Sequence, residues 1–265
     1  MEYPEDYIAK NKTAWNQKTM YHLDSDFYAL PAFIEGKSSL NEIELSLIGE
    51  ISGKTILHLQ CHFGQDSLSL ARMGAKVTGI DFSEAAIEAA KNLALQLALD
   101  TTFVLTDVYN VPECITEKFD LVFTTYGTIG WLPDLEKWAN VAAKMLKPGG
   151  KFLLVDFHPF VWTLDDDFKQ VHYHYFNEEA IIEKTTGTYA DRNAPIEIET
   201  VGFNHSLSEI INNLIQSGLT IDCLNEYPYS PYSCFPNLTE IEPRKFIFTH
   251  FGSKIPMVYA IVAHL

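Results

Sequence analysis

Residues 54–83 read KTILHLQCHFGQDSLSLARMGAKVTGIDFS. Positions 56–59 make a short apolar run, the form a central parallel strand takes when both faces are covered. Gly64 ends a tight turn, and residues 66–71 carry a short helical pattern that stops near Gly74. A second strand follows at 77–80, with Asp81 at its tip. Strand, turn, helix and strand in this order build a crevice at the strand ends and put a carboxylate where ribose hydroxyls would lie.

The alternation continues outward from this unit. Ser83 stands where an N-cap belongs, ahead of Ala85, Ala86, Ala89, Ala90, Leu93 and Leu97 at helical spacing. Residues 102–105 and 119–124 read as strands three and four. Pro133 fits the first turn of a helix whose inner stripe is Trp138, Val141, Ala142 and Met145. The turn LKPGG (146–150) then leads into a fifth strand at 152–155. Strands alternating with helices at this cadence predict a parallel sheet with right-handed crossovers.

Beyond residue 157 the helical crossovers stop. Stretches 171–176, 181–186 and 196–201 are rich in β-branched and aromatic residues, which predicts an antiparallel insertion. A helix starting at Ser206 or Ser208 and ending at Gly218 precedes two last strands of the main sheet, 220–227 and 257–263. The segment before residue 50 is mostly helical and dense in aromatics. The expected fold is therefore α/β: a Rossmann-like, seven-stranded, mostly parallel sheet with helices on both faces and the last strand antiparallel. A helical cap occupies 1–50 and the main domain 51–265, with the insertion acting as a lid at about 160–204.

Composition narrows the partners. The chain has 265 residues, 47% of them hydrophobic, enough for one large α/β domain with a substantial core. A net charge of −16 repels phosphate backbones and anionic lipid, which argues against nucleic acid and membrane surfaces. The four cysteines lack any CxxC pairing, the opening MEYPEDYIAKNK is too polar for a signal peptide, and no apolar run approaches membrane-spanning length. A cytoplasmic protein with a small-molecule partner is expected.

Asp81 follows a β-branched strand and precedes a capped helix, seventeen positions after Gly64. It reads as a ribose ligand, against the alternative of a carboxylate that merely favours the helix dipole. A nicotinamide or flavin turn, G-x-G-x-x-G, would put its glycines on Gln60, His62 and Gln65, so close backbone approach to a pyrophosphate is disfavoured. The pattern acidic-x-G-x-G-x-G serves S-adenosylmethionine, which has no phosphate. Its glycines would fall on Gln60, His62 and Gly64, and its acid on His58.

At these residues the chain resembles the class I S-adenosylmethionine-dependent methyltransferases, in particular a bacterial branch whose turn is written LQCHxG. The resemblance continues through Thr106-Asp107-Val108, FDLVFTTYGTIGWLPD (119–134) and LKPGG. It covers residues 54–157 well, the cap and last strands loosely and the insertion hardly at all. It implies that Gly64 admits the cofactor to the turn, that Gln60 and His62 border it, and that Asp81 binds both ribose hydroxyls. Phe82 would pack on the adenine, Asp107 would accept from the adenine amine, and the Val108 N–H would read a ring nitrogen. Thr124, Thr125 and Tyr126 would border the methionine moiety and the reacting methyl. His58 departs from the usual acid, so the ammonium would pass to Gln60 or a backbone carbonyl.

Methyl transfer from a sulfonium asks the protein mainly for proximity and alignment, and for a base only where the acceptor must lose a proton. Near the expected methyl position stand Tyr126, Trp131, Asp156 and His158, of which His158 has the most suitable ordinary pKa. It reads equally well as a loop histidine before Pro159. Trp15 and His22 of the cap and Trp131 are expected to close the substrate pocket. His58, Cys61 and His62 point different ways from a strand-to-turn corner, so no metal site is expected. Asp165-Asp166-Asp167 reads as a solvated loop, and His172 and His174 as exposed spacers, the alternative being part of a substrate pocket. The expected activity is methylation of a small molecule. A non-catalytic cofactor- or nucleoside-binding protein of the same fold is the alternative, and a nicotinamide oxidoreductase a distant third.

Overall fold

The computed structural model describes residues 3–265, so the first two positions of the expected cap lie outside the described residues. Helices α1 (Tyr7–Leu23), α2 (Leu30–Ile34) and α3 (Glu42–Ile48) come first. They are followed by β1 (Thr55–His58), α4 (Gln65–Arg72), β2 (Lys76–Asp81), α5 (Glu84–Gln96), β3 (Thr101–Leu105), α6 (Val111–Cys114), β4 (Phe119–Thr125), α7 (Leu135–Met145) and β5 (Leu146–Phe157). Then come β6 (Ile181–Thr186), β7 (Glu197–Gly202), α8 (Leu207–Gln216), β8 (Thr220–Tyr227), β9 (Leu238–Glu242), β10 (Lys245–Phe248) and β11 (Val258–His264).

Seven strands form one sheet in the order β3-β2-β1-β4-β5-β11-β8. The first five run parallel, and β11 lies antiparallel between β5 and β8. The strand order reverses between β1 and β4, and in an open α/β sheet that switch point is where a ligand crevice forms. Side chains alternate across β5: Phe152 and Leu154 pack with Trp138 of α7 and Leu214 of α8, while Leu153 and Val155 face Ile43 and Ile48 of α3. Both faces are covered, which explains why the strands read as unbroken apolar runs.

Ser83 caps α5 as expected, its side chain accepting from the Ala86 N–H. Pro133 does not enter the first turn of α7. Asp134 is the N-cap, and because its carboxylate accepts from the Lys137 N–H the helix begins after it. Residues 171–176 are not a strand either. Val171 bridges Leu164, and the His172 and Tyr173 N–H groups both turn onto the Thr163 carbonyl, leaving no ladder to extend. The two other stretches of the insertion do pair, as antiparallel β6 and β7. The β9–β10 hairpin went unread, because its exposed LTEIE strand carries a polar pattern.

Helix α1 is tied to both halves of the molecule. Asn11 exchanges two hydrogen bonds with the Val201 backbone of β7, Nδ2 to O and N to Oδ1, each 2.8 Å. One turn on, Asn16 Oδ1 accepts from Ser83 Oγ at 2.6 Å and from the Ala85 N–H at 3.2 Å, at the start of α5.

Candidate cofactor and acceptor site

A cavity of about 860 Å³ opens at the carboxyl ends of β1, β2 and β4 and is covered by α1, β6 and the 231–235 segment. Its floor is the turn after β1. Gln60, His62 and Gly64 have φ of 54°, 52° and 80°. The backbone thus takes the left-handed form at all three places where the resembled family carries glycine, and two of them bear side chains. Each such residue costs about 1–2 kcal/mol, offset by tethers: the Leu59 N–H donates to Phe123 O and the Cys61 N–H to Ile80 O. Gly64 is needed for a further reason. A Cβ there would lie 2.6 Å from Phe103 Cζ and 3.1 Å from Ala90 Cβ, so its missing side chain admits the neighbouring core as its backbone lines the cavity.

Asp81, 6% exposed, holds this turn and the next helix together. One carboxylate oxygen accepts from the His62 N–H and the other from the Ser83 N–H, both at 2.9 Å. Burial pushes its carboxyl up to about 6 against these stabilising donors, and the charge of Asp107 adds to the rise. Phe82 lines the cavity beside it. Gln60 reaches across to the turn after β4, where Nε2 donates to the Thr128 carbonyl, and its buried Oε1 has no partner among the described residues.

Asp156, expected near the methyl position, is engaged in holding the turn after β4. It accepts from the N–H groups of Gly127, Thr128, Ile129 and Phe157. That leaves it a scaffold for the loop. Thr125 lines the cavity and donates to Asp66 at 3.1 Å, while Asp66 also accepts from Ser39 Oγ at 2.6 Å. His58 is enclosed against Ser67 (Nδ1, 2.8 Å), and burial lowers its pKa to about 3, so it is a neutral imidazole.

Five expected residues do not border the cavity. Thr124 is fully buried and donates to Thr128. Asp107 caps a short 3-10 turn by accepting from the Tyr109 N–H, and Val108 packs into the core. His22 lies behind Trp15 and His62, with burial pushing its pKa down to about 2 and neither ring nitrogen partnered among the described residues. His158 has both ring nitrogens engaged: Nε2 meets Glu226 at 2.8 Å and Nδ1 accepts from the Phe160 N–H at 3.0 Å. Tyr126 does border the cavity, but its hydroxyl donates to the buried Glu44 at 2.8 Å.

The cap supplies the opposite wall. Trp15 meets Trp131 edge to face at 5.6 Å and His62 at 5.3 Å. Trp131 is fixed by Nε1 donating to the Gly127 carbonyl at 2.7 Å. Lys18, one helical turn beyond Trp15, also lines the cavity and was missed in the sequence. The spacing of Trp15, Lys18 and His22 on one helical face was the available signal. Asp66 and Glu44, in different elements from their partners, carried none.

Among the described residues no cluster of His, Cys, Asp or Glu could hold a metal, and no helix is long and apolar enough to cross a membrane.

The sheet order, the crevice at the switch point and an acid at the tip of β2 define a Rossmann-like nucleoside-binding enzyme fold. The methyltransferase domain family matches residues 56–150. The ubiquinone biosynthesis O-methyltransferase of Coxiella burnetii (strain RSA 493) is 31% identical over 168 residues, which cover 60% of this chain and 67% of that one. Two solved structures share the fold. A S-adenosylmethionine-dependent methyltransferase from Clostridium acetobutylicum superposes with a TM-score of 0.58 at 18% identity, covering 97% of this chain and 99% of its own. The magnesium protoporphyrin IX methyltransferase of Synechocystis PCC 6803 gives 0.57 at 14% identity, covering 98% and 99%. The chain belongs to the class I S-adenosylmethionine-dependent methyltransferases.

Proposed function

We propose that this enzyme methylates a small-molecule acceptor held in the cavity between the Gln60–Gly64 turn and the α1–insertion roof. The observation that carries this is the continuity of that space. Asp81 and Gln60 on its floor and Trp15 and Trp131 on its wall line one continuous cleft. Asp81 accepts from the ribose, Phe82 covers the adenine, and the unpartnered Gln60 Oε1, with Asp66, receives the methionine ammonium in place of the acid that His58 replaces. Gly64, His62 and Thr125 complete the floor. Once bound, S-adenosylmethionine supplies an electrophilic methyl group. The chain contributes alignment and exclusion of water, where good geometry is worth as much as ~7–11 kcal/mol.

With the Tyr126 hydroxyl and both His158 nitrogens engaged in the protein, the reading includes no dedicated base from either residue. An acceptor already carrying a lone pair, such as a phenolate or a free amine, suits that arrangement. We read the segment before residue 50 and the insertion at about 160–204 as the acceptor-specific parts. Four free cysteines support a reducing, cytoplasmic setting, and the −16 charge argues against nucleic acid as substrate.

Calorimetry with S-adenosylhomocysteine on the wild type and Asp81→Ala is the first test, followed by a methyl-release screen over amines, phenols and carboxylates. Absence of binding, or binding untouched by Asp81→Ala, overturns the cofactor assignment. Tight cofactor binding with silence across all acceptors overturns the small-molecule reading.

A further inference from the structure

Lys18 is 8% exposed and lines the cavity. Its Nζ sits 4.8 Å from the centroid of Trp15 and 5.1 Å from that of Trp131, two rings at 87° to one another. Among the described residues it makes no hydrogen bond and no ion pair. Taking an ammonium out of water is costly, and two indole faces return only part of that cost. The remaining deficit is what a charged ligand group would offset. We propose that Lys18 anchors a carboxylate on an aromatic acceptor, an inference that rests on the acceptor site proposed above.

The other charges around the cavity support this sign. Asp156 and Asp165 are occupied by donors of the protein itself, and Asp81 and Asp66, which also accept from protein donors, belong to the cofactor end of the cavity proposed above. Asp26 and Asp166 are solvent-exposed at the rim. Glu183 of β6 is the carboxylate whose charge acts on Lys18, yet it is exposed and forms no ion pair with it. Of the other cations that line it, Lys37 and Arg244 are exposed, and Arg244 donates to the Ser39 carbonyl. Lys18 is thus the buried cation of the cavity. Burial lowers its pKa to about 8, with Glu183 opposing the fall, so the ammonium persists at neutral pH. Next to it, His22 and His62 are held neutral by burial, with lowered pKa values of about 2 and about 3. They offer no competing positive charge. The Trp131 indole, locked onto the Gly127 carbonyl at the end of β4, provides a flat apolar surface for a ring.

The test uses three ligands with one ring and three charges: 4-hydroxybenzoate, 4-hydroxybenzamide and tyramine. Each is titrated at neutral pH into the full chain saturated with S-adenosylhomocysteine, as wild type, Lys18→Met and Lys18→Arg. The wild type should bind 4-hydroxybenzoate at least about tenfold tighter than the amide, the scale of one charge-assisted contact. Lys18→Met should bring the two within about threefold, and Lys18→Arg should keep the preference. S-adenosylhomocysteine affinity should be unchanged in both variants, which certifies their fold. Failure of S-adenosylhomocysteine to bind the wild type would count against the cofactor assignment. Given that binding, four results overturn the anchor: no binding of 4-hydroxybenzoate, tighter binding of tyramine, equal binding of the amide, or a preference that survives Lys18→Met.

Discussion

Gln60 Nε2 donates to the Thr128 carbonyl at 2.9 Å, fastening the turn after β1 to the turn after β4 across 68 residues of chain. Thr128 is itself held by Asp156, so three strand ends share one polar junction at the cavity floor. Gln60 also carries a left-handed backbone that glycine would accept without strain. Strain and tether therefore oppose each other at one position.

Gln60→Gly should consequently unfold within about 1 kcal/mol of the wild type, since relief of the left-handed strain offsets the lost hydrogen bond. Gly64→Ala, four residues on, should lose about 2–4 kcal/mol, because its Cβ meets the Phe103 ring and its φ is +80°. Urea melts of the two variants measure the contrast. Equal losses would show that the turn does not depend on side-chain-free space at Gly64.

Asp156→Ala should cost about 3–5 kcal/mol, since it leaves several buried N–H groups at residues 127–129 without an acceptor. Asp156→Asn should retain part of this, with one oxygen still accepting. Thermal denaturation gives the ranking, and a near-neutral alanine variant would contradict it.

Asp81 predicts a pH dependence. Its carboxyl is raised from 3.8 to about 6 by burial. Between those values the folded state holds a proton that the unfolded chain releases, so this group subtracts stability as pH rises through the window. Ribose hydroxyls donate to the ionised form, so S-adenosylhomocysteine should bind progressively less well below pH about 6, by up to about tenfold per pH unit. Calorimetry in buffers of different ionisation enthalpy at pH 5 should also detect proton release on binding. A flat affinity from pH 5 to 8 would contradict the assignment.

Tyr126→Phe separates a structural from a catalytic hydroxyl. Glu44 is buried with its pKa raised to about 6, and the Tyr126 hydroxyl stabilises its charged form. Removing that donor should cost about 1.5–3 kcal/mol above pH 6 and less below it, where Glu44 is protonated. Methyl-transfer rate per folded molecule should stay within about threefold of wild type, well short of the ~10²-fold or more that general base catalysis contributes. A hundredfold fall in rate at unchanged stability would restore Tyr126 as a base.

The parallel half of the sheet was legible because each strand and helix is a local pattern. Apolar runs, the Ser83 cap and the position of Asp81 need only neighbours in sequence. Gln60, His62, Gly64 and Asp81, which line the cavity floor, lie in the same stretch. Aromatic and β-branched residues at 171–176 read as a strand but had no partner, because their N–H groups fold onto Thr163. Lys18 was hidden for a different reason. A lysine on a cap helix ordinarily faces water, and only the arrival of Trp131, 113 positions later by the numbering, encloses it. Tyr126 and Glu44 likewise meet across 82 residues, so the occupancy of that hydroxyl had no local signature.

The paired bonds between Asn11 and the Val201 backbone have a consequence for exchanging parts between relatives. They make α1 behave as a lateral neighbour of β7, and a loop graft that replaces the insertion alone strands two peptide groups that no longer find their amide. The two segments lie nearly 200 residues apart in the chain, so a chimera that carries another enzyme's insertion should carry its first helix as well.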